Sequence, residues 1–238
     1  MATMTLDELV TQLTSAFGGS LRAVVLYGSA AAGEHVEKRS DYNVLVLVES
    51  LDLDALTREG AIARAWREAG NPPPLTMTVD EWRSSFDVFP MEYADLLARH
   101  RVLYGTPPFD GLSISRHDLR VQVEREAMGK MLQLRQGVLA SGGDRKRLVE
   151  LLAASVSTFM VIFRAVLRVH GEEPPTGHEA VCSRLTALTG VDTDAFVRVV
   201  QHVRGRSSIG EQDVRDVLSG YLTGAHQVYT HIDRLPTT

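Results

Sequence analysis

The chain has 238 residues, a formal net charge of −5 and 44% apolar residues. That length suits one or two domains with ample core, and the acidic balance supplies no global positive field for nucleic acid. Lysine occurs only at Lys38, Lys130 and Lys146, so positive charge is nearly all arginine. The single cysteine, Cys182, excludes an intramolecular disulfide framework and reads as a small buried hydrophobe on a helix. The opening MATMTLDELVTQL carries acids and no long apolar core, unlike a signal peptide, and no apolar stretch approaches a membrane span. A cytoplasmic location without a membrane partner is the expectation.

A first helix is predicted from Thr5 or Asp7 through LDELVTQLTSAF, stopping at Gly18-Gly19. Residues 24–48 then read VVLYGSAAAGEHVEKRSDYNVLVLV. An apolar run, a Gly-Ser turn, a polar stretch and a second apolar run describe a strand, a helical turn and a strand. A helix over LDALTREGAIARAWREAG follows, stopping at Gly70. Pro72-Pro73-Pro74 introduces the strand LTMTV, and RSSFDVFPMEYADLLARHRVLYG gives an apolar-rich turn, a short helix and a last strand.

The segment YGTPPFDGLSIS, rich in Pro, Gly and Ser, divides the chain into a domain of residues 1–110 and one of residues 111–238. Beyond it the pattern is helical only. Ser115 with Asp118 starts a helix that ends at Gly142-Gly143, and Asp144 caps the next. That helix, LVELLAASVSTFMVIFRAVLRV, is apolar on most faces and is expected at the centre of a bundle. Two shorter helices over Glu179 to Leu188 and Asp194 to Arg204, and a last one from Glu211 to Asp233, complete the series. The fold class is α+β, a small mixed sheet with helices followed by an all-α up-and-down bundle of four or five helices.

Gly28-Ser29 and Asp41-Tyr42-Asn43 are the residues most informative about chemistry. Alternate positions on a strand project to one face, so Asp41 and Asn43 point together while Tyr42 points away. The pattern resembles the opening of the polymerase-β-like nucleotidyltransferase superfamily: Gly-Ser, a spacer of roughly ten residues, then Asp-x-Asp. With the helical bundle after it, the chain looks like the aminoglycoside and lincosamide nucleotidyltransferases, and equally like a minimal nucleotidyltransferase fused to a HEPN-type helical domain.

The resemblance implies that Gly28 and Ser29 contact nucleotide phosphates, that Asp41 holds magnesium and serves the reaction, and that Asn43 occupies the second metal-ligand position. It also implies Mg2+ with a nucleoside triphosphate as cofactors if the chain is active, and a homodimer by analogy with enzymes that form sites between subunits. Asn43 offers a neutral carbonyl oxygen where the family has a carboxylate, and two magnesium ions need several negative charges. The third carboxylate of the family, on a later strand, has no counterpart within the apolar part of LTMTV. In-phase positions are Leu75, Met77 and Val79, or Thr76, Thr78 and Asp80; Asp80, Glu81 and Glu92 are the acids near enough in sequence to substitute.

Three readings follow. The first is a degenerate site that binds a nucleotide or other small ligand with weak or no transfer. The second is a transferase moving a nucleoside monophosphate onto a small-molecule or protein hydroxyl. The third is an interaction protein without nucleotide affinity. His35, Lys38 and Arg39 in the spacer read as a solvated loop beside the phosphate position. Arg164 and His170 match the Arg-to-His spacing of HEPN ribonucleases, a match that a chain with many Arg and eight His meets by chance. His170, just before Gly171, is expected to serve the helix C-terminal dipole or solvent.

Overall fold

The computed structural model describes residues 4–28, 30–31 and 41–236. The chain splits into two compact units, residues 1–114 and 115–238. Helix α1 (Leu6–Phe17) opens the first unit and is started by a reciprocal cap in which Thr5 accepts from the Glu8 N–H and the Glu8 side chain accepts from the Thr5 N–H. After it come β1 (Leu21–Tyr27), β2 (Asn43–Val48), α2 (Leu53–Glu68), β3 (Leu75–Thr78), α3 (Val79–Ser84), α4 (Pro90–Ala98) and β4 (His100–Gly105).

The sheet has the order β3-β2-β1-β4, with β2 and β3 parallel and the other pairs antiparallel. Helix α2 provides the crossover that a parallel pair requires. β1 and β2 lie inside the sheet and are covered on both faces, which explains their near-continuous apolar runs. On one face Val24, Leu26, Val44, Val46 and Val48 pack with Leu9, Leu13, Ile62 and Trp66 of α1 and α2. On the other, Ala23, Val25, Leu45 and Leu47 pack with Trp82, Tyr93 and Leu96 of α3 and α4.

One boundary differs from the sequence expectation. Val79 belongs to α3, not to the strand, because Thr78 accepts from the Glu81 N–H at 3.1 Å while the Glu81 carboxylate accepts from the Thr78 N–H at 2.7 Å. The reciprocal cap ends β3 after four residues.

Among its described residues the second unit holds five helices: α5 (Arg116–Ser141), α6 (Arg145–Val169), α7 (His178–Thr189), α8 (Asp194–Val203) and α9 (Val214–Asp233). Ser115 and Asp144 cap α5 and α6 through their side chains, as their positions suggest, whereas α9 starts three residues later than Glu211. α6 packs against α5, α7, α8 and α9 and buries Leu152, Val156, Phe159, Phe163 and Leu167. By length and composition it is a helix apolar enough to cross a membrane, contrary to the expectation from sequence, yet that apolar surface is the core of the bundle. Cys182 is fully buried on α7, its Sγ 3.8 Å from Met160 Sδ, and burial pushes its thiol up to about 12.

Phe159, Phe163, Phe196 and Tyr221 form an aromatic centre in which Phe196 and Tyr221 have centroids 3.9 Å apart. Gly224 makes this approach of α8 and α9 feasible: a Cβ there would lie 2.7 Å from the Asp192 carbonyl and 2.8 Å from Phe196 Cε2. Gly224→Ala is therefore expected to destabilise the bundle by about 1–3 kcal/mol despite alanine's better helix propensity. Helical circular dichroism through a denaturant titration would read this; fluorescence would not, since Trp66 and Trp82 both lie in the first unit.

Candidate functional site

β1 and β2 pair so that Tyr27 faces Asn43 across the ladder, and β1 pairs with β4 so that Tyr27 also faces His100. Gly28, one residue beyond, sits at φ +79°, a left-handed conformation that favours glycine, and its N–H donates to the Arg99 carbonyl at 3.1 Å. A Cβ on Gly28 would touch Asn43 Nδ2 at 3.6 Å, an ordinary contact, so backbone conformation rather than space selects glycine here. The turn and the second motif position are thus side-by-side. Ser29, His35, Lys38 and Arg39 lie outside the described residues.

Tyr42 and the positions in phase with Asn43 go to opposite sides of the sheet, while Asp41 lies before β2, which begins at Asn43 and not at the acid. Tyr42 packs with the α1/α2 cluster, its ring centroid 6.2 Å from that of Trp66, whereas Leu45 and Leu47, in phase with Asn43, belong to the α3/α4 cluster. Asp41 is exposed and Asn43 half-buried at the mouth of that second face.

A residue that sequence reasoning passed over holds this segment in place. Asn71, buried in the loop after α2, accepts from the Tyr42 N–H through its Oδ1 at 3.0 Å. The contact joins residues 29 apart and fixes the backbone between Asp41 and Asn43. In the sequence Asn71 stands next to a helix-stopping glycine and a proline run, where an asparagine reads as a turn residue.

The acids named as substitutes separate clearly. β3 pairs with β2 so that Leu45 faces Leu75 and Leu47 faces Met77. The strand positions on the face of Asn43 are therefore apolar, and Thr76 lies on the other face, donating to the Glu59 carboxylate of α2. Glu59 is itself buried, and burial lifts its carboxyl above the usual range against the opposing effect of that hydrogen bond. Glu81 is engaged in capping α3, and Asp80 is exposed on the same first turn. Glu92 is different. It lies in the first turn of α4, the helix whose Tyr93 and Leu96 cover the Asn43 face. Its charge reaches the Tyr27 phenol, which burial first and Glu92 second hold above the ordinary tyrosine value. On the same helix Asp95 pairs with Arg99, whose carbonyl receives the Gly28 N–H.

Asp41 and Asn43 together carry one negative charge, where two divalent ions would need several. Asp41 supplies a carboxylate and Asn43 a neutral carbonyl, and among the described residues no group of three or more His, Cys, Asp or Glu converges to hold a metal. Magnesium bound through one carboxylate, waters and a ligand's phosphates meets its octahedral demand.

Two measurements check this geometry. Asn71→Ala should destabilise the first unit by about 1–2 kcal/mol and speed amide exchange at Tyr42, whose donor loses a buried partner. Glu92→Gln should lower the pH at which Tyr27 ionises, seen in the ultraviolet titration of the phenol, because one of the two causes holding it up is gone.

Neither a protein-family model nor a curated protein matches this chain. Among solved structures, it is similar to the spectinomycin adenyltransferase AAD(9) from Enterococcus faecialis, solved with ATP and spectinomycin. The identity is 12% and the TM-score 0.57, over 93% of this chain and 97% of that one. A toxin-antitoxin structure with AMP-PNP is matched over 58% of this chain and 98% of its own, at 18% identity and a TM-score of 0.31. The fold of this chain is that of the polymerase-β-like nucleotidyltransferases, an α+β domain followed by helices.

Proposed function

We propose that this chain binds a nucleoside triphosphate with a single magnesium ion at the Gly28 turn and Asp41, and transfers the nucleotide weakly or not at all. The observation that carries the reading is the pairing of Tyr27 with Asn43: it sets the phosphate-facing turn beside a neutral amide, on a sheet face whose next strand offers only Leu75 and Met77. Gly28 and Ser29 would meet the phosphates, Asp41 would ligate the metal, and Asn43 would contribute a carbonyl oxygen. Bound magnesium would neutralise phosphate charge and orient the triphosphate. The AAD(9) neighbour was solved with ATP, which makes ATP the first nucleotide to try, and with spectinomycin, which supports a small-molecule second ligand. A cytoplasmic location suits such a ligand pair.

A second reading, an active transferase, rests on Glu92. The charge on α4 that reaches Tyr27 would stand in for the strand carboxylate and draw the proton from an acceptor hydroxyl. A purely structural role for the chain, with no nucleotide affinity, is the third.

Calorimetry with each nucleoside triphosphate and magnesium separates them. The native chain should bind at least one, Asp41→Ala should weaken it by about tenfold or more, and Asn43→Asp should tighten it. No heat with any nucleotide would overturn the proposal. Pyrophosphate release by the native chain, abolished by Asp41→Ala and reduced by Glu92→Gln, would replace it with the second reading.

A further inference from the structure

Far along the sequence from the nucleotide motif, two histidines of the bundle meet in a way no part of the proposed function uses. His170 caps the end of α6, and His231 lies in the last turn of α9. Their Nε2 atoms are 2.9 Å apart, their ring centroids 5.1 Å, and their planes 35° from parallel. The expectation that His170 faces solvent or merely the helix dipole is therefore corrected. At this distance one Nε2 donates and the other accepts, so the two rings hold opposite tautomers. Among the described residues no third His, Cys, Asp or Glu joins the pair in a group that could hold a metal ion.

The surroundings are mixed in charge. From α5, Arg116 donates through Nε to the Val169 carbonyl at 2.6 Å, one residue before His170. From the loop after α6, Glu172 faces His170 but is bonded to Arg184 of α7. For His231, His170 is the charged neighbour that bears on it among the described residues. Arg120 adds a second hold on the same end of α9, donating through Nε to the Leu235 carbonyl at 3.0 Å and through Nη2 to that of Asp233 at 3.3 Å.

We propose that His170 and His231 form a proton-operated clasp between the end of α6 and the last turn of α9, closed while at most one ring is charged and opened when both are. One added proton leaves the bond intact, because an imidazolium donates to an imidazole. A second removes the acceptor and places two like charges in contact. The hold by Arg120 runs to backbone carbonyls and involves neither histidine, so it does not depend on their charge. The opening is thus confined to the side of α9 that meets α6.

The direction of the pH dependence follows. In the folded chain both rings hold protons less readily than a free histidine at 6.5: His170 because of burial and then Arg116, against Glu172, and His231 because of burial and then His170. Below about 6.5 the unfolded chain therefore binds the more protons, so the clasp contributes fully above that value and its contribution falls with added acid.

The test uses the full chain, with His170→Gln and His231→Gln, since glutamine keeps a hydrogen-bonding side chain that does not titrate. Imidazole 15N resonances of the native chain should show one protonated and one bare Nε2 at about pH 7.5. Exchange of the backbone amides in the last turn of α9, corrected for intrinsic chemistry, should accelerate by about tenfold or more on going to about pH 5. Both variants should lack that acceleration. Independent titration of the two native rings at the ordinary histidine value, or the same acid response in the variants, would overturn the clasp.

Discussion

The antiparallel pairing of Tyr27 with Asn43 is the constraint on which the candidate site depends. It closes β1 against β2 at the point where the chain leaves and re-enters the sheet, so Gly28 and Asn43 become neighbours whatever the intervening residues do. Strand alternation then assigns sides. Tyr42 goes to the α1/α2 core against Trp66, and the positions in phase with Asn43 go to the face that α3 and α4 cover. A one-residue slip would send the motif to the wrong side of the sheet and move Val44 and Val46 from the α1/α2 layer into the smaller α3/α4 layer. The fully buried runs of β1 and β2 make that slip costly, and the hydrogen bond from Tyr42 to Asn71 adds a check at the open end of the ladder.

The two layers of apolar contact have unequal consequences for the site. The α1/α2 layer is broad, with Leu9, Leu13 and Trp66 fully buried, and holds the sheet as a platform. The α3/α4 layer is smaller and centres on Trp82 stacked on Tyr93, centroids 4.0 Å apart, with the Tyr93 hydroxyl donating to the Trp82 carbonyl at 2.7 Å. It ties α4 to α3, and so places the first turn of α4 and its Glu92 over the half of the sheet that the motif occupies. The same packing that completes the core thereby decides which acid can influence the site.

Much of this was legible in the residues and the rest has identifiable reasons. Apolar runs separated by a Gly-Ser turn and a polar stretch gave β1 and β2, and Thr5, Ser115 and Asp144 stood where caps were needed, because strand burial and helix capping are local chemistry. The opposite sides taken by Tyr42 and the positions in phase with Asn43 followed from alternation alone, whereas β2 begins only at Asn43 and leaves Asp41 outside the strand. α3 was missed although Thr78-x-x-Glu81 carries a capping signal, because Val79 extends the apolar pattern of the strand and masks it. Asn71 and the His170–His231 pair were out of reach for another reason: each joins residues 29 or 61 apart, and nothing in the neighbourhood of either partner announces the other. Glu92 fell between these cases, recognisable as an acid but not as one lying over the right face.

Electrostatics explains why the fold and the proposed reading can differ from the family reaction. In the proposed reading, one divalent ion between Asp41 and a polyphosphate would be balanced by the ligand's own charge. A second would meet the neutral amide of Asn43 and the apolar Leu75 and Met77, with its desolvation uncompensated. Glu92 restores a negative charge but not in the same form. A carboxylate on a central strand is held by the sheet ladder on both sides, whereas Glu92 is an exposed side chain in the first turn of α4. Catalysis by electrostatic preorganisation depends on groups fixed before the reaction begins. Moving the third acid from a strand to a helix surface would therefore leave a site whose affinity for a nucleotide survives better than its power to transfer one.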